Sequence, residues 1–261
     1  MMINKKLVLI TGSSSGLGFE LAKLFAEDNY DIAMSGSSER IYHSAKEIEK
    51  LGVKTYPYKA DASTYEGVEN FWKFVESKGR KVDAAVLNVG ISLGGAFLEN
   101  KLEDELRLID INISGTVHMA KRVAKHMVEN KSGDILIVSS LSATLPTPYE
   151  TVYGPSKAFG FMFSEALRVE LKEKNVNVTA MLPGATNTDF HHNAGMDNTF
   201  FGDEKNKNDK VQVAKQGYDA LKNKLDYVVC GDEETKKEAI QNRTTPEEVK
   251  AMRHAQKAKP E

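Results

Sequence analysis

Leu7-Val8-Leu9-Ile10-Thr11-Gly12-Ser13-Ser14-Ser15-Gly16-Leu17-Gly18 is the stretch on which the fold turns. Four consecutive apolar residues run straight into a turn rich in glycine and serine. A short, continuous apolar run bounded by a turn reads as a strand buried on both faces. A helical pattern, Phe19–Glu27, follows, so the segment is strand, tight turn, helix. The glycines let the backbone approach a diphosphate closely. The helix N-terminus adds free N–H groups and a partial positive charge. Gly12, Ser13, Ser14, Ser15, Gly16, Leu17 and Gly18 therefore form a candidate dinucleotide loop, because they stand after the first strand and before a helix.

Working outward, the same alternation continues. Further apolar runs are Ile32–Ser35, Val53–Tyr58, Ala84–Leu87, Ile135–Val138, Val176–Leu182 and Tyr227–Cys230. Helical patterns lie between them at Arg40–Leu51, Val68–Ser77, Glu105–Glu129 and Ala158–Lys174. This β-α-β-α succession predicts an α/β, Rossmann-type doubly wound parallel sheet of about seven strands, with helices on both faces, in a single domain. Two stretches break the pattern. Residues 191–210 are polar with scattered aromatics, and residues 232–261 are dense in Lys, Glu and Asp. The expected organisation is a catalytic domain over 1–231 and a charged C-terminal extension over 232–261, read as a solvated helix or a loose tail.

Composition narrows the function. A formal net charge of −2 over 261 residues provides no global field for nucleic acid or membrane. The single cysteine, Cys230, rules out an internal disulfide, reads as a small hydrophobe and favours a reducing compartment. Lys5 and Lys6 precede only four apolar residues, too few for a signal-peptide core, so the expected location is the cytoplasm. His191-His192 reads as a loop pair rather than a metal site, because adjacent residues point apart and no Cys or acidic cluster accompanies them. Trp72 reads as surface packing of a helix.

Tyr153 and Lys157, four apart in Tyr153-Gly154-Pro155-Ser156-Lys157, share a helix face. An ammonium near a phenol favours the phenolate, which brings proton exchange towards neutral pH. Ser139-Ser140 closes the strand Ile135–Val138 at the carboxyl end of the sheet, where ligands of open α/β folds bind. Asn112 stands in Asp110-Ile111-Asn112-Ile113-Ser114-Gly115, Asn88 and Gly90 in Leu87-Asn88-Val89-Gly90, and Asp61-Ala62 after the third strand. Pro183-Gly184-Ala185-Thr186-Asn187-Thr188 follows the sixth strand. In spacing and order, with Ser140 thirteen residues before Tyr153, these motifs over about residues 5–190 resemble the short-chain dehydrogenase/reductase family.

The resemblance implies an oxidoreductase that moves a hydride between a nicotinamide and a carbonyl or secondary alcohol carbon. Tyr153 is then the general acid/base, and Lys157 binds the nicotinamide ribose and lowers the phenol pKa. Ser140 donates to the developing alkoxide, and Asn112 organises a water chain behind Lys157. Asp61 and Ala62 contact adenine. Asn88, Gly90, Pro183, Gly184, Thr186 and Thr188 complete the cofactor site. Gly36 occupies the position where an acidic residue marks NAD preference, so NADP(H) is the expected cofactor and NAD(H) the alternative, with Ser37, Ser38 and Arg40 for the 2′-phosphate. A catalytically silent nucleotide sensor or scaffold on the same fold is the competing reading, but it has no need of the complete Ser140, Tyr153, Lys157 and Asn112 set. A small-molecule substrate is expected, with residues 190–210 as a lid over it. Apolar residues spread around Glu105–Glu129 and Ala158–Lys174 predict a homodimer or homotetramer.

Overall fold

The computed structural model describes residues 5–260; residues 1–4 and 261, which the expected boundaries include, lie outside it. Seven strands run in parallel: β1 Leu7–Ile10, β2 Asp31–Gly36, β3 Thr55–Lys59, β4 Ala84–Leu87, β5 Gly133–Val138, β6 Val176–Pro183 and β7 Tyr227–Cys230. Their order across the sheet is β3-β2-β1-β4-β5-β6-β7, the doubly wound arrangement that the alternation demands. The order reverses between β1 and β4, which opens a crevice at the carboxyl edge beside the loop after β1.

The helices are α1 Gly16–Glu27, α2 Arg40–Glu49, α3 Tyr65–Glu76, α4 Leu102–Ile109, α5 Thr116–Glu129, α6 Tyr153–Leu171, α7 Phe190–Asn193, α8 Lys210–Lys222, α9 Glu233–Asn242 and α10 Glu247–Ala258. Side chains alternate across each strand, so β1 feeds both layers. Val8 and Ile10 join the core under α1, α2 and α8, with Leu21, Phe25, Ile48 and Leu221. Leu7 and Leu9 join the opposite core under α3, α5 and α6, with Phe71, Val123 and Met127. Burial of both faces explains why the strands read as continuous apolar runs.

Three expectations need correction. Trp72 does not sit on the surface: it is 3 % exposed, in the core with Val68, Phe71 and Val75, its ring edge-on to His126. The helix expected over Glu105–Glu129 is interrupted by a π-helical turn, Asp110–Gly115. A Cβ on Gly115 would stand 2.4 Å from the Ala62 carbonyl oxygen, so this wider turn brings backbone against backbone beside the cavity. The charged C-terminal stretch is not simply a solvated tail. It forms α9 and α10, which bury Thr235, Ala239, Asn242, Lys250, His254 and Ala258. On α6, Phe159, Met162 and Val169 stay exposed, as the spread of apolar residues around that helix predicts. No described helix is long and apolar enough to cross a membrane.

Candidate active site

The loop after β1 needs its glycines for two reasons. Gly12 and Gly16 have φ of +65° and +56°, a region that side chains disfavour. A Cβ on Gly18 would lie 2.3 Å from the Gly12 carbonyl oxygen and 2.5 Å from Asn88 Nδ2. Ser15 precedes α1 without capping it by its side chain, which leaves the first N–H groups of the helix open. Asn88 closes the loop from β4: its Nδ2 donates to the Thr11 and Gly12 carbonyls at 3.1 and 2.9 Å. Thr11 Oγ1 accepts from the Asn88 and Val89 N–H groups in turn. Thr11, Gly12, Ser14, Ser15, Gly16 and Leu17 line a cavity of about 930 Å³ along the carboxyl edge of the sheet.

Not every residue expected at the cofactor is on that wall. Ser13 is fully buried, its hydroxyl turned to the Ile10 and Ser35 carbonyls, so it builds the loop rather than meeting a ligand. Gly18, by its closeness to Gly12, has the same structural role. Ser37, Asp61, Ala62, Asn88, Gly90, Pro183, Gly184, Thr186 and Thr188 line the cavity, while Ser38 and Arg40 stand outside it. Arg40 is engaged with Asp189 at 3.3 Å. Burial works to raise the Asp61 pKa, but hydrogen bonds from Ser63 and Arg107 prevail and hold it below the usual carboxylate range.

Ser140, Tyr153 and Lys157 come together on the same cavity wall. β5 delivers Ser140, whose Oγ accepts from the Ser142 N–H at 3.1 Å. Tyr153 and Lys157 sit one turn apart at the start of α6, with Nζ 5.7 Å from the phenol ring centre. Lys157 Nζ donates to the Val138 carbonyl at 3.2 Å. A Cβ on Gly90 would stand 2.8 Å from that Nζ, so a glycine keeps space beside the ammonium. Asn112 lies behind the wall on the π-helical turn. Its Oδ1 accepts from the Ile91 N–H, and its Nδ2 donates to the Ile91 carbonyl and to Ser156 Oγ, all at 2.9 Å.

The electrostatics differ from the expectation that Lys157 lowers the phenol pKa. Burial pushes the Tyr153 phenol above its ordinary value, the Glu150 charge adds to the rise, and only a hydrogen bond with Ser140 opposes it. Burial also lowers the Lys157 ammonium to about 8, which weakens the cation that was to act on the phenol.

Sequence reasoning missed one wall of the cavity. Lys237, Gln241 and Asn242 from α9 and Lys250, Arg253 and His254 from α10 face it. Glu150, in the approach to α6, is 3 % exposed and accepts from Ser92 Oγ at 2.6 Å. His191 and His192 do diverge: His192 Nδ1 reaches Asp197 at 2.8 Å, and His191 stacks on Phe201. Burial lowers His191 to about 4. No apolar periodicity announced α10, because the residues it buries are Lys250, His254 and Ala258.

Residues 6–199 match the family model described as short chain dehydrogenase. The chain belongs to the short chain dehydrogenase family. It is 33 % identical over 211 residues to a probable oxidoreductase, EphD, of Mycobacterium tuberculosis, covering 80 % of this chain and 36 % of that protein. It is 32 % identical over 184 residues to the oxidoreductase UcpA of Salmonella typhimurium, covering 70 % of each. The chain thus spans about a third of the length of the first curated relatives it matches. Two solved structures share the fold. One is a short-chain dehydrogenase from Sphingobium yanoikuyae in complex with NADPH, with a TM-score of 0.80, 24 % identity, and 86 % of this chain and 87 % of that one covered. The other is a bulky-bulky ketone specific alcohol dehydrogenase from Comamonas testosteroni, with a TM-score of 0.78, 23 % identity and 92 % of each covered.

Ser140, Tyr153 and Lys157 fall inside the matched short chain dehydrogenase region. Phe200, Phe201, α8, α9 and α10 lie beyond it, so the newly found wall is where this member departs from the shared pattern.

Proposed function

We propose that this chain is an NADP(H)-dependent oxidoreductase that interconverts a carbonyl and a secondary alcohol, with Tyr153 as the general acid/base. The observation that carries this reading is the convergence of Ser140, Tyr153 and Lys157 on one wall of a cavity that begins at the phosphate loop. The residues fit a dinucleotide. Gly12, Gly16 and Gly18 form a cradle that side chains would fill, and the open N-terminus of α1 points an anion site at it. Bound NADP(H) supplies the hydride, and the chain supplies position and proton. Ser140 donates to the substrate oxygen as negative charge develops there. Tyr153 Oη passes its proton to that oxygen in reduction and accepts it in oxidation. Lys157 holds the ribose, and Asn112 fixes Ile91 and the first turn of α6 through Ser156. A sensor or scaffold would not require this set, which favours the enzyme.

The NADP(H) preference rests on the end of β2. Gly36 places no carboxylate there, and a Cβ on it would crowd Ser14 at 3.1 Å. Glu39, the nearest acidic residue in sequence, is paired with Lys59 at 3.0 Å. Ser14 and Ser37 lie on the wall, and Arg40 reaches a 2′-phosphate by leaving Asp189. A screen of carbonyl compounds followed at the nicotinamide absorbance tests the reaction. The kcat/KM with NADPH is expected to exceed that with NADH about tenfold or more, since a charge-assisted contact contributes about 1.5–3 kcal/mol. Arg40→Ala should erode the difference, and an NADH preference overturns the cofactor assignment.

Residues 190–207 are the substrate lid in this reading. Its base is pinned where Asn208 N–H donates to Ala185 O and Asn187 N–H to Asn208 O. Its inner side carries Phe190, tilted on Tyr153 at 5.5 Å, and Phe201. Closure excludes water from the reacting carbon. Hydrogen exchange across the segment is expected to slow when NADPH and a substrate analogue bind together. Equal protection with and without them means a fixed surface loop.

A further inference from the structure

Glu150 is a buried carboxylate three residues before the catalytic tyrosine, and the proposed chemistry does not use it. Burying a carboxylate is unfavourable unless something holds it. Ser92 Oγ donates to Oε1 at 2.6 Å. At Oε2 stands His254 Nε2, 3.2 Å away but off the line of a hydrogen bond, and it has no other partner. Both side chains are at most 5 % exposed. The Glu150 backbone builds the catalytic helix: its carbonyl accepts from the Tyr153 N–H at 3.0 Å and from Thr147 Oγ1 at 2.8 Å.

α10 is fixed at the distance this contact needs. One turn before His254, Lys250 Nζ donates to the Thr144 and Asn242 carbonyls at 3.1 Å and to Glu247 at 2.7 Å. Phe201 packs against the His254 ring at 5.5 Å from the other side. The charged and titratable groups facing Tyr153 and Glu150 are Lys157 from α6, His191 from α7 and His254 from α10.

We propose that Glu150 and His254 form a positioning pair for Tyr153, in which the carboxylate biases the phenol towards its protonated, donor form and the imidazole from the last helix sets how much of that field it feels. The pair rests on the reading of Tyr153 as acid/base and gives that reading a direction, carbonyl reduction. His254 acts through Glu150 and touches no reacting atom. The positive edge of its ring offsets the carboxylate charge, and in a low-dielectric wall such an offset carries well. The rise of the phenol pKa caused by the Glu150 charge agrees with this arrangement.

The test reads the phenol directly in the full chain. Protein labelled with ¹³C at tyrosine Cζ and saturated with NADP⁺ is titrated, and the Tyr153 signal is assigned by its loss in Tyr153→Phe. Glu150→Gln is expected to raise the phenolate-to-phenol ratio about tenfold at a given pH, a downward pKa shift of about one unit. His254→Gln should lower the ratio, and the double variant should match Glu150→Gln, because His254 has nothing to offset once the charge is gone. A structural role alone would change turnover without moving the ratio. If Glu150→Gln does not fold, Ser92→Ala, which removes a donor from the same carboxylate, is expected to lower the ratio. A Glu150→Gln ratio equal to wild type, or a Ser92→Ala ratio unchanged in its place, overturns the pair. The pH profile of alcohol oxidation with NADP⁺ should shift in parallel. Absence of turnover in wild type on every carbonyl and alcohol tried would sink the acid/base reading, and the titration would still decide on the pair.

Discussion

Tyr153→Phe is expected to lower turnover about 10²–10⁴-fold, the usual contribution of a positioned acid/base, and to leave NADPH affinity essentially unchanged. The substitution removes one hydroxyl and keeps the ring, which is buried and tilted on Phe190 at 5.5 Å. Packing at the start of α6 therefore survives, and only the proton donor is lost. Lys157→Ala should differ by damaging both turnover and cofactor binding, since its ammonium serves the ribose and neighbours the phenol. The two groups also separate in pH. The phenol, raised by burial and by Glu150, stays protonated across the neutral range, so the donor for reduction is present there. The ammonium, lowered to about 8, loses its charge as pH rises through that value, and the KM for NADPH should climb above it. Steady-state kinetics and NADPH fluorescence titration of each variant check these outcomes. Near-normal turnover of Tyr153→Phe on a good substrate would refute the mechanism.

A chain ending at Thr245, which lacks α10, is expected to lose about 10²-fold or more in kcat/KM for a carbonyl substrate, the scale of loss when a reacting group is displaced by about 1 Å. It should still bind NADPH. The phosphate loop, the β2 end and Asn88 all lie away from α10, held by β1, β2 and β4. The substrate side does not. Removing α10 takes Ala258 from the small cluster with Ala194 and Met196, and takes His254 from Phe201 and Glu150. It also frees the Thr144 carbonyl, close to Ser140 in the chain, from Lys250. Dinucleotide affinity and kcat/KM measured on the same preparation separate these effects. Unchanged kcat/KM would mean that the wall is packing without consequence for the substrate.

The strands and the phosphate loop were legible in the residues themselves. Leu7–Ile10, Ala84–Leu87 and Tyr227–Cys230 were read at the boundaries they adopt, because strands buried on both faces must be apolar throughout. The Tyr153 and Lys157 pair was legible because four residues make about one helical turn. Cys230 is buried in the core as a small apolar side chain. Other assignments failed for identifiable reasons. Trp72 shares its stripe with Val68, Phe71 and Val75, so the helix turns its indole inwards. Ser13 resembles its neighbours in composition, but a local turn sends its hydroxyl to Ile10 and Ser35.

The sequence by itself determined what depends on local chemistry: strand period, loop conformation, helix spacing and the kinds of residue at the ends of the strands. Only the tertiary structure decided what depends on distant segments meeting. Lys250, His254 and Ala258 recur at helical spacing, but two of the three are polar, so hydropathy could not mark the face that α10 buries. Their partners, Thr144, Glu150 and Phe201, lie roughly fifty to a hundred residues away in the chain. The acidity of Tyr153 follows the same rule. Proximity of Lys157 in sequence suggested a lowered phenol pKa, whereas burial and the charge of Glu150 raise it, because desolvation is a property of the packed wall and not of any spacing along the chain.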